Sequence, residues 1–349
     1  MENELNLAKN FKAKGAKIET QLKRFGVSCS LRNCEERILC EKYEFDLIDI
    51  KTFMKLKNAV KVLSTCMHEN ISITDDTEYA FALEIKKSDV VLNLVDTQKQ
   101  FPTKDKFDCL IGVDSNDKPV TFNLRKTIHT LIAGATGMGK SSVINNIIYS
   151  LTSNFTPNEL QLLMIDVKKS MAIWKGLPHL NDDPILNSCD AYYALDNISS
   201  ILDERLETLA KKGKTKATAT DFPYIVIIID ELSDLMLSED RKPIEELMTH
   251  IAQVGRCANV SLIVATQNPL VRVCTSLIKA NCPTRIALKM VASVDSVNIL
   301  NNKNAYATLS ECGEAIIRPA NAPTETYFKA CFLEDDQIKE HIKNLKGSK

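Results

Sequence analysis

Apolar and polar residues follow two different patterns along the chain, and the change of pattern divides it. Early segments are short and half-polar: residues 43–50 alternate aromatic and aliphatic positions with acids, like a strand with one buried face, and 52–67 carries apolar residues at helical spacing. Residues 78–85 read as a second strand, with 90–94 extending the same small sheet. A polar stretch containing Pro102, residues 98–106, predicts a domain boundary. Two short strands follow, 109–113 and 119–124, joined by the turn-forming run Asp114-Ser115-Asn116-Asp117.

From His129 onward, continuous apolar strands alternate with amphipathic helices. The order is strand Thr130–Ala133, helix 141–151, strand Leu160–Ile165, helix 191–210, strand Tyr224–Ile229, helix 243–256, strand 260–265 and strand Thr284–Leu288. Fully apolar strands separated by helices predict an α/β fold whose mostly parallel sheet is covered on both faces. The predicted organisation is an extension over 1–40, a small α+β domain over 41–106 and a large α/β domain over 107–349. Residues 1–26 intersperse Lys and Glu with few large apolar side chains, which predicts a solvated helix or tail.

The run Gly134-Ala135-Thr136-Gly137-Met138-Gly139-Lys140-Ser141 has the spacing G-x-x-x-x-G-K-S, directly after an apolar strand and opening a helix. Glycines let such a loop curl its N–H groups inward, and the helix adds its positive end, so the loop through Ser142 is a candidate phosphate cradle. Lys140 would reach the outer phosphates of ATP, and the Ser141 hydroxyl would ligate Mg²⁺. Asp230 and Glu231 sit where the strand Tyr224–Ile229 delivers them to the carboxyl edge of the sheet, the usual ligand edge of an open α/β fold. Asp230 would share the Mg²⁺ shell, and Glu231 would act as general base on water. Gln267 ends the next strand and can orient that water or sense the terminal phosphate.

Composition narrows the choice of partner. With 44 basic and 45 acidic residues the net charge is −1, so nucleic acid would have to be held by a local basic surface. The lysines at 211, 212, 214 and 216 are one candidate, although such a run is more often a solvated loop. No run approaches the ~20 apolar residues of a membrane span, and nothing near the N-terminus resembles a secretory signal. The eleven cysteines lack C-x-x-C pairs, as expected of reduced thiols in a cytoplasm.

These residues resemble the FtsK/SpoIIIE family of DNA translocases, whose members are hexameric RecA-like motors. The resemblance rests on the phosphate loop, on Met164-Ile165-Asp166, on Gly176-Leu177-Pro178-His179-Leu180, and on the run from Pro223 to Met236. It continues in Ala265-Thr266-Gln267, in Leu277-Ile278-Lys279-Ala280-Asn281-Cys282-Pro283-Thr284-Arg285-Ile286-Ala287 and in Asp295-Ser296, spanning residues 43–342. It implies a ring of about six copies around double-stranded DNA, with ATP between neighbours. Arg256 then occupies the position that completes the next subunit's site in trans; by itself it reads as a basic residue at a helix C-terminus. Lys279 is retained at a DNA-facing family position and Arg272 is an additional candidate, whereas Asn268, Ser293 and Val297 stand where relatives carry basic residues. The expectation is a short, soluble, cytoplasmic translocase without membrane or winged-helix parts, of the kind used by plasmids, phages or integrative elements. A protein-secretion ATPase and a conjugative coupling protein are the alternatives.

Overall fold

Five isoleucine and valine residues in succession, Ile225 to Ile229, are all buried, which requires cover on both faces of the sheet they enter. The computed structural model describes residues 2–74, 77, 79–320, 322 and 324–347, with backbone alone for 2–9. Met1, Asp75, Asp76, Glu78, Asn321, Pro323, Ser348 and Lys349, which fall inside the predicted domains, lie outside the described residues. The chain separates into two compact units, Met1–Val90 with Ser115–Lys118, and Val91–Asp114 with Pro119–Lys349.

The first unit contains helix α1 (Glu2–Arg24), strands β1 (Cys29–Glu36) and β2 (Cys40–Leu47), helix α2 (Leu56–Met67), and strands β3 (Ile71–Thr74) and β4 (Ala80–Lys86). The four strands form an antiparallel sheet in the order β1-β2-β4-β3. Of the solvated helix or tail expected over 1–26, the helix is present as α1, but it is not solvated all round. Ile18 and Leu22, one helical turn apart on α1, are fully buried in a core with Tyr43, Phe45, Leu63 and Phe81. Residues 1–40 therefore belong to the small unit rather than preceding it.

The second unit continues with β5 (Leu92–Asn93), α3 (Leu94–Gln100), β6 (Asp108–Val113), β7 (Pro119–Asn123), α4 (Leu124–Thr127), β8 (Thr130–Ala133), α5 (Lys140–Asn154), β9 (Leu160–Ile165), α6 (Ser188–Lys211), β10 (Tyr224–Ile229) and α7 (Leu232–Met236). It ends with α8 (Arg241–Val254), β11 (Val260–Thr266), α9 (Ser276–Asn281), β12 (Thr284–Leu288), α10 (Ser293–Leu300), α11 (Asn304–Ala307), β13 (Glu314–Arg318), β14 (Thr326–Phe332) and α12 (Asp335–Gly347). The sheet runs β7-β6-β14-β13-β12-β8-β11-β10-β9, with β5 beside β14. Strands β12, β8, β11, β10 and β9 are mutually parallel, while β13, β14, β6 and β7 join antiparallel.

Residues 90–94 do not extend the small sheet: Leu92 and Asn93 pair with Cys331 and Phe332, and the chain then enters α3. The compact units accordingly part near residue 90, ahead of the polar stretch 98–106. Helices α6 and α8 cover one sheet face through Leu195, Ile198, Leu202, Ile244, Met248 and Ile251. On α5, Val143, Ile144, Ile147 and Leu151 are buried, and Asn146 donates to the Cys331 carbonyl at 2.8 Å. Parallel strands align their carboxyl ends, so β8, β10 and β11 deliver Gly134, Asp230 and Gln267 to one edge.

Candidate nucleotide site

Between β8 and α5 the chain turns through backbone that glycine adopts with least strain: φ is +78° at Gly137 and +99° at Gly139. Gly134 is needed for space instead, because a Cβ there would lie 2.7 Å from the Leu288 Cβ. The loop is braced on both flanks. Gly134 N–H donates to the Thr266 carbonyl at 3.2 Å, Ala135 N–H to Lys289 at 2.9 Å, and Gly313 N–H to the Met138 carbonyl at 3.0 Å. The first N–H groups of α5 have no partner inside the helix, so the loop combines free donors with a positive helix end and fits a polyphosphate.

Lys140 opens α5 and is 4% exposed. Its ammonium donates to the Asp230 backbone carbonyl and to Asp230 Oδ1, the latter at 2.6 Å. Asp230 Oδ2 accepts the Ser170 hydroxyl at 2.5 Å. Ser170 is in turn fixed by the buried Asp166, whose Oδ1 accepts the Ser170 N–H and hydroxyl at 2.9 Å each and whose Oδ2 accepts Met171 N–H at 2.7 Å. The segment after β9 is thus tied to the end of β10. Ser141 is exposed on the first turn of α5, beside the half-buried Ser142. The Ser141 hydroxyl and the Asp230 carboxylate are hard oxygen donors suited to Mg²⁺ next to phosphate.

Glu231 is 3% exposed and surrounded by donors. Its Oε1 accepts the Thr266 hydroxyl at 2.7 Å, the Ser233 hydroxyl at 2.8 Å and the Ser233 N–H at 3.3 Å. Its Oε2 accepts Gln267 N–H at 2.9 Å and faces the Lys168 ammonium at 3.4 Å. Burial pushes this carboxyl upward, but the bonds from Thr266, Gln267 and Ser233, with Lys140 nearby, outweigh it and hold the carboxyl below its ordinary value. Asp234, one turn further, behaves oppositely: burial raises it, Lys168 opposes that, and Glu231 and Asp230 add to the rise. The Gln267 amide oxygen accepts the Thr136 hydroxyl at 2.7 Å, linking the end of β11 to the phosphate loop.

The Lys140–Asp230 pair and the Thr136–Gln267–Glu231 series of bonds end on the consecutive residues 230 and 231, so these five residues share one site. Arg256 is not part of it. It lies in a short turn (Gly255–Ala258) before β11, at the opposite edge of the sheet, and seven strand residues at ~3.3 Å each put it about 20 Å from the Gln267 end. The turn is pinned: the buried Arg205 donates to the carbonyls of Pro223 at 3.0 Å and Ala258 at 2.8 Å, and the Asn259 amide donates to Thr218 and Phe222. The Arg256 side chain itself is exposed. It therefore does not join this chain's own phosphate loop.

The four DNA candidates are scattered. Lys211 pairs with Glu207 at 3.6 Å and Lys212 with Asp221 at 3.6 Å, both on the Arg256 edge. Lys279 gives its ammonium to Asn298 Oδ1 at 2.5 Å, while Arg272 is exposed after β11. Sequence reasoning missed Lys168, Ser170 and Arg205. The Asp-x-x-x-Ser spacing from Asp166 to Ser170 was the available signal for the first two.

Comparison with known proteins agrees with this geometry. The model of the FtsK/SpoIIIE family matches residues 91–221 and 214–271. The DNA translocase FtsK of Bacillus cereus is 29% identical over 355 residues, covering 95% of this chain and 44% of that protein. That of Staphylococcus aureus (strain COL) is 30% identical over 351 residues, covering 94% and 44% respectively. The chain thus spans less than half the length of these relatives, and the match reaches into residues 1–40, where the sequence alone showed no resemblance. Among solved structures, the pCW3 conjugation coupling protein TcpA, a monomer form with ATPγS, superposes with a TM-score of 0.69 at 20% identity, over 97% of this chain and 100% of that one. The cytoplasmic domain of the Thermomonospora curvata type VII secretion ATPase EccC gives 0.60 at 21% identity, over 70% and 31%. Among the described residues no helix is long and apolar enough to cross a membrane. By its matched segments and its phosphate loop the chain belongs to the FtsK/SpoIIIE family and has the fold of a P-loop ATPase.

Proposed function

We propose that this chain hydrolyses ATP between adjacent copies of itself and uses the energy to move double-stranded DNA. One observation carries the reading: Lys140 on Asp230, and Thr136 through Gln267 on Glu231, converge at the end of β10 beside a braced phosphate loop, whereas Arg256 sits on a pinned turn at the far edge. In this reading residues 134–142 bind the phosphates and Lys140 neutralises them. Ser141 and Asp230 hold Mg²⁺, which supplies charge neutralisation when bound. Glu231 is the base toward water, Gln267 orients that water, and the next copy's Arg256 stabilises the transferring phosphate. A closed ring, six-membered as the family resemblance implies, repeats the same contact around its axis. In this reading the work is done in the cytoplasm, in transfer or segregation of DNA such as that of plasmids, phages or other mobile elements.

The substrate follows from the relatives' name, DNA translocase, with Arg272 as an exposed cation on the stretch between Asn268 and Lys279. A second reading, an ATPase driving protein, is favoured by one feature of this region. Val271, Leu277, Val291, Val294 and Val297 are 41–79% exposed there, on stretches tied together by Asn298 through Lys279 and the Pro269 carbonyl. Phosphate release with saturating ATP decides between them. Stimulation by duplex DNA supports the motor reading, and no response to duplex at low salt rejects it.

A further inference from the structure

A carboxylate offers about four lone-pair positions. Glu231 faces five donors: Thr266 hydroxyl, Ser233 hydroxyl and N–H, Gln267 N–H and the Lys168 ammonium. So surrounded, it has no free position for a proton from water, and at least one donor must leave before it can serve as a base. The donors are not equally mobile. Thr266 and Ser233 are buried and Gln267 contributes backbone at a strand end, whereas the Lys168 side chain is 47% exposed and makes the longest contact. When this contact opens the half-exposed ammonium returns to water and the buried carboxylate keeps its other four donors, so the contact costs little to break.

The segment that carries Lys168 is not loose. Asp166 accepts three hydrogen bonds from Ser170 and Met171, and Ser170 reaches Asp230, so the backbone on either side of Lys168 is fixed while its ammonium is free to swing. Lys140, by contrast, is buried between Asp230 and α5. Lys168 is thus the mobile cation at a site built for a polyanion.

We propose that Lys168 is a positioning residue that moves between Glu231 and the terminal phosphate of a bound nucleoside triphosphate. On Glu231 it occupies Oε2 and keeps the base idle; drawn to a third phosphate, it vacates Oε2. Hydrolysis is then armed by the triphosphate and not by the diphosphate, because only the former extends far enough to attract the lysine. The inference rests on the ATPase reading above and adds to it a device that discriminates ATP from ADP.

The test is equilibrium binding of fluorescently labelled ATP and ADP to the full chain, with phosphate release measured in parallel. Lys168→Met is expected to weaken labelled ATP by about tenfold, the loss of one charge-assisted contact, while ADP affinity stays within about twofold. Lys168→Arg should restore the difference. Glu231→Gln, which releases Lys168 in advance, should tighten ATP binding, and that gain should vanish in the Lys168→Met background. Equal weakening of ATP and ADP, or no change in either, overturns the inference. If the unaltered chain binds neither nucleotide, the ATPase reading itself has failed, a separate outcome. Unfolding midpoints of each variant report whether the fold survives; the Glu231→Gln gain, measured with Lys168 intact, tests the inference even where Lys168→Met does not fold.

Discussion

Replacing Glu231 with glutamine is commonly a way to stop hydrolysis while sparing structure, but here it removes acceptors from a crowded site. The amide keeps one oxygen, which can stay with the Thr266 and Ser233 hydroxyls at 2.7 and 2.8 Å. Its NH₂ then replaces Oε2 and points at Gln267 N–H, 2.9 Å away, and at the Lys168 ammonium. Donor faces donor. Leaving the Gln267 N–H without an acceptor costs about 1–3 kcal/mol, whereas the half-exposed lysine pair adds little. Glu231→Gln is therefore expected to lower stability by about 2 kcal/mol, read as a shifted urea midpoint at unchanged slope. Removal of the base should cut phosphate release by about 10²–10⁴-fold. An unchanged midpoint would refute the donor arrangement around Glu231, and turnover within a few-fold of the parent would remove Glu231 from catalysis.

Other consequences are equally specific. Mixing Lys140→Ala with Arg256→Ala chains, each inactive alone, should regain turnover at up to about a quarter of interfaces, where an intact loop meets an intact arginine in a symmetric ring; a silent mixture contradicts the shared site. Gly139→Ala forces a side chain into φ +99° with its Cβ 3.2 Å from the Gly313 backbone, so labelled ATP should bind at least tenfold more weakly, at a strain of about 1–3 kcal/mol. His129 accepts Leu262 N–H through Nδ1 at 3.0 Å, and burial lowers it from 6.5 to about 4. Its contribution is full above pH 6.5 and is lost as the pH falls to about 4, roughly 3 kcal/mol for a shift of this size, so His129→Gln should flatten the urea midpoint over that interval. Arg272→Ala should weaken duplex binding and reduce its salt slope by about one, while Lys279→Ala should mainly destabilise the fold, because its ammonium is spent on Asn298.

The nucleotide-binding half was legible because strand periodicity and motif spacing report the same edge. Once Tyr224–Ile229 is read as a buried strand, Asp230 and Glu231 must emerge beside the phosphate loop. Local pattern cannot name a partner for a strand, so Leu92 and Asn93 were placed in the small sheet although they pair with β14. Strand β1 escaped because Arg32, Asn33, Glu35 and Glu36 give it a half-exposed, charged face. Helix α1 has few large apolar residues, and among its described ones Ile18 and Leu22, a turn apart, are buried with Phe11 packed against the same core. The Lys168 contact depends on how Asp166 folds the segment back, and the Asn298 bond that occupies Lys279 joins positions nineteen residues apart; neither leaves a periodic trace.

Displacement of a triplex-forming strand from duplex DNA tests the central claim most directly. The account predicts that the chain strips the third strand in the presence of ATP and that Glu231→Gln, although it binds ATP, does not. Equal release with and without ATP, or none under conditions where duplex stimulates phosphate release, would contradict movement along DNA.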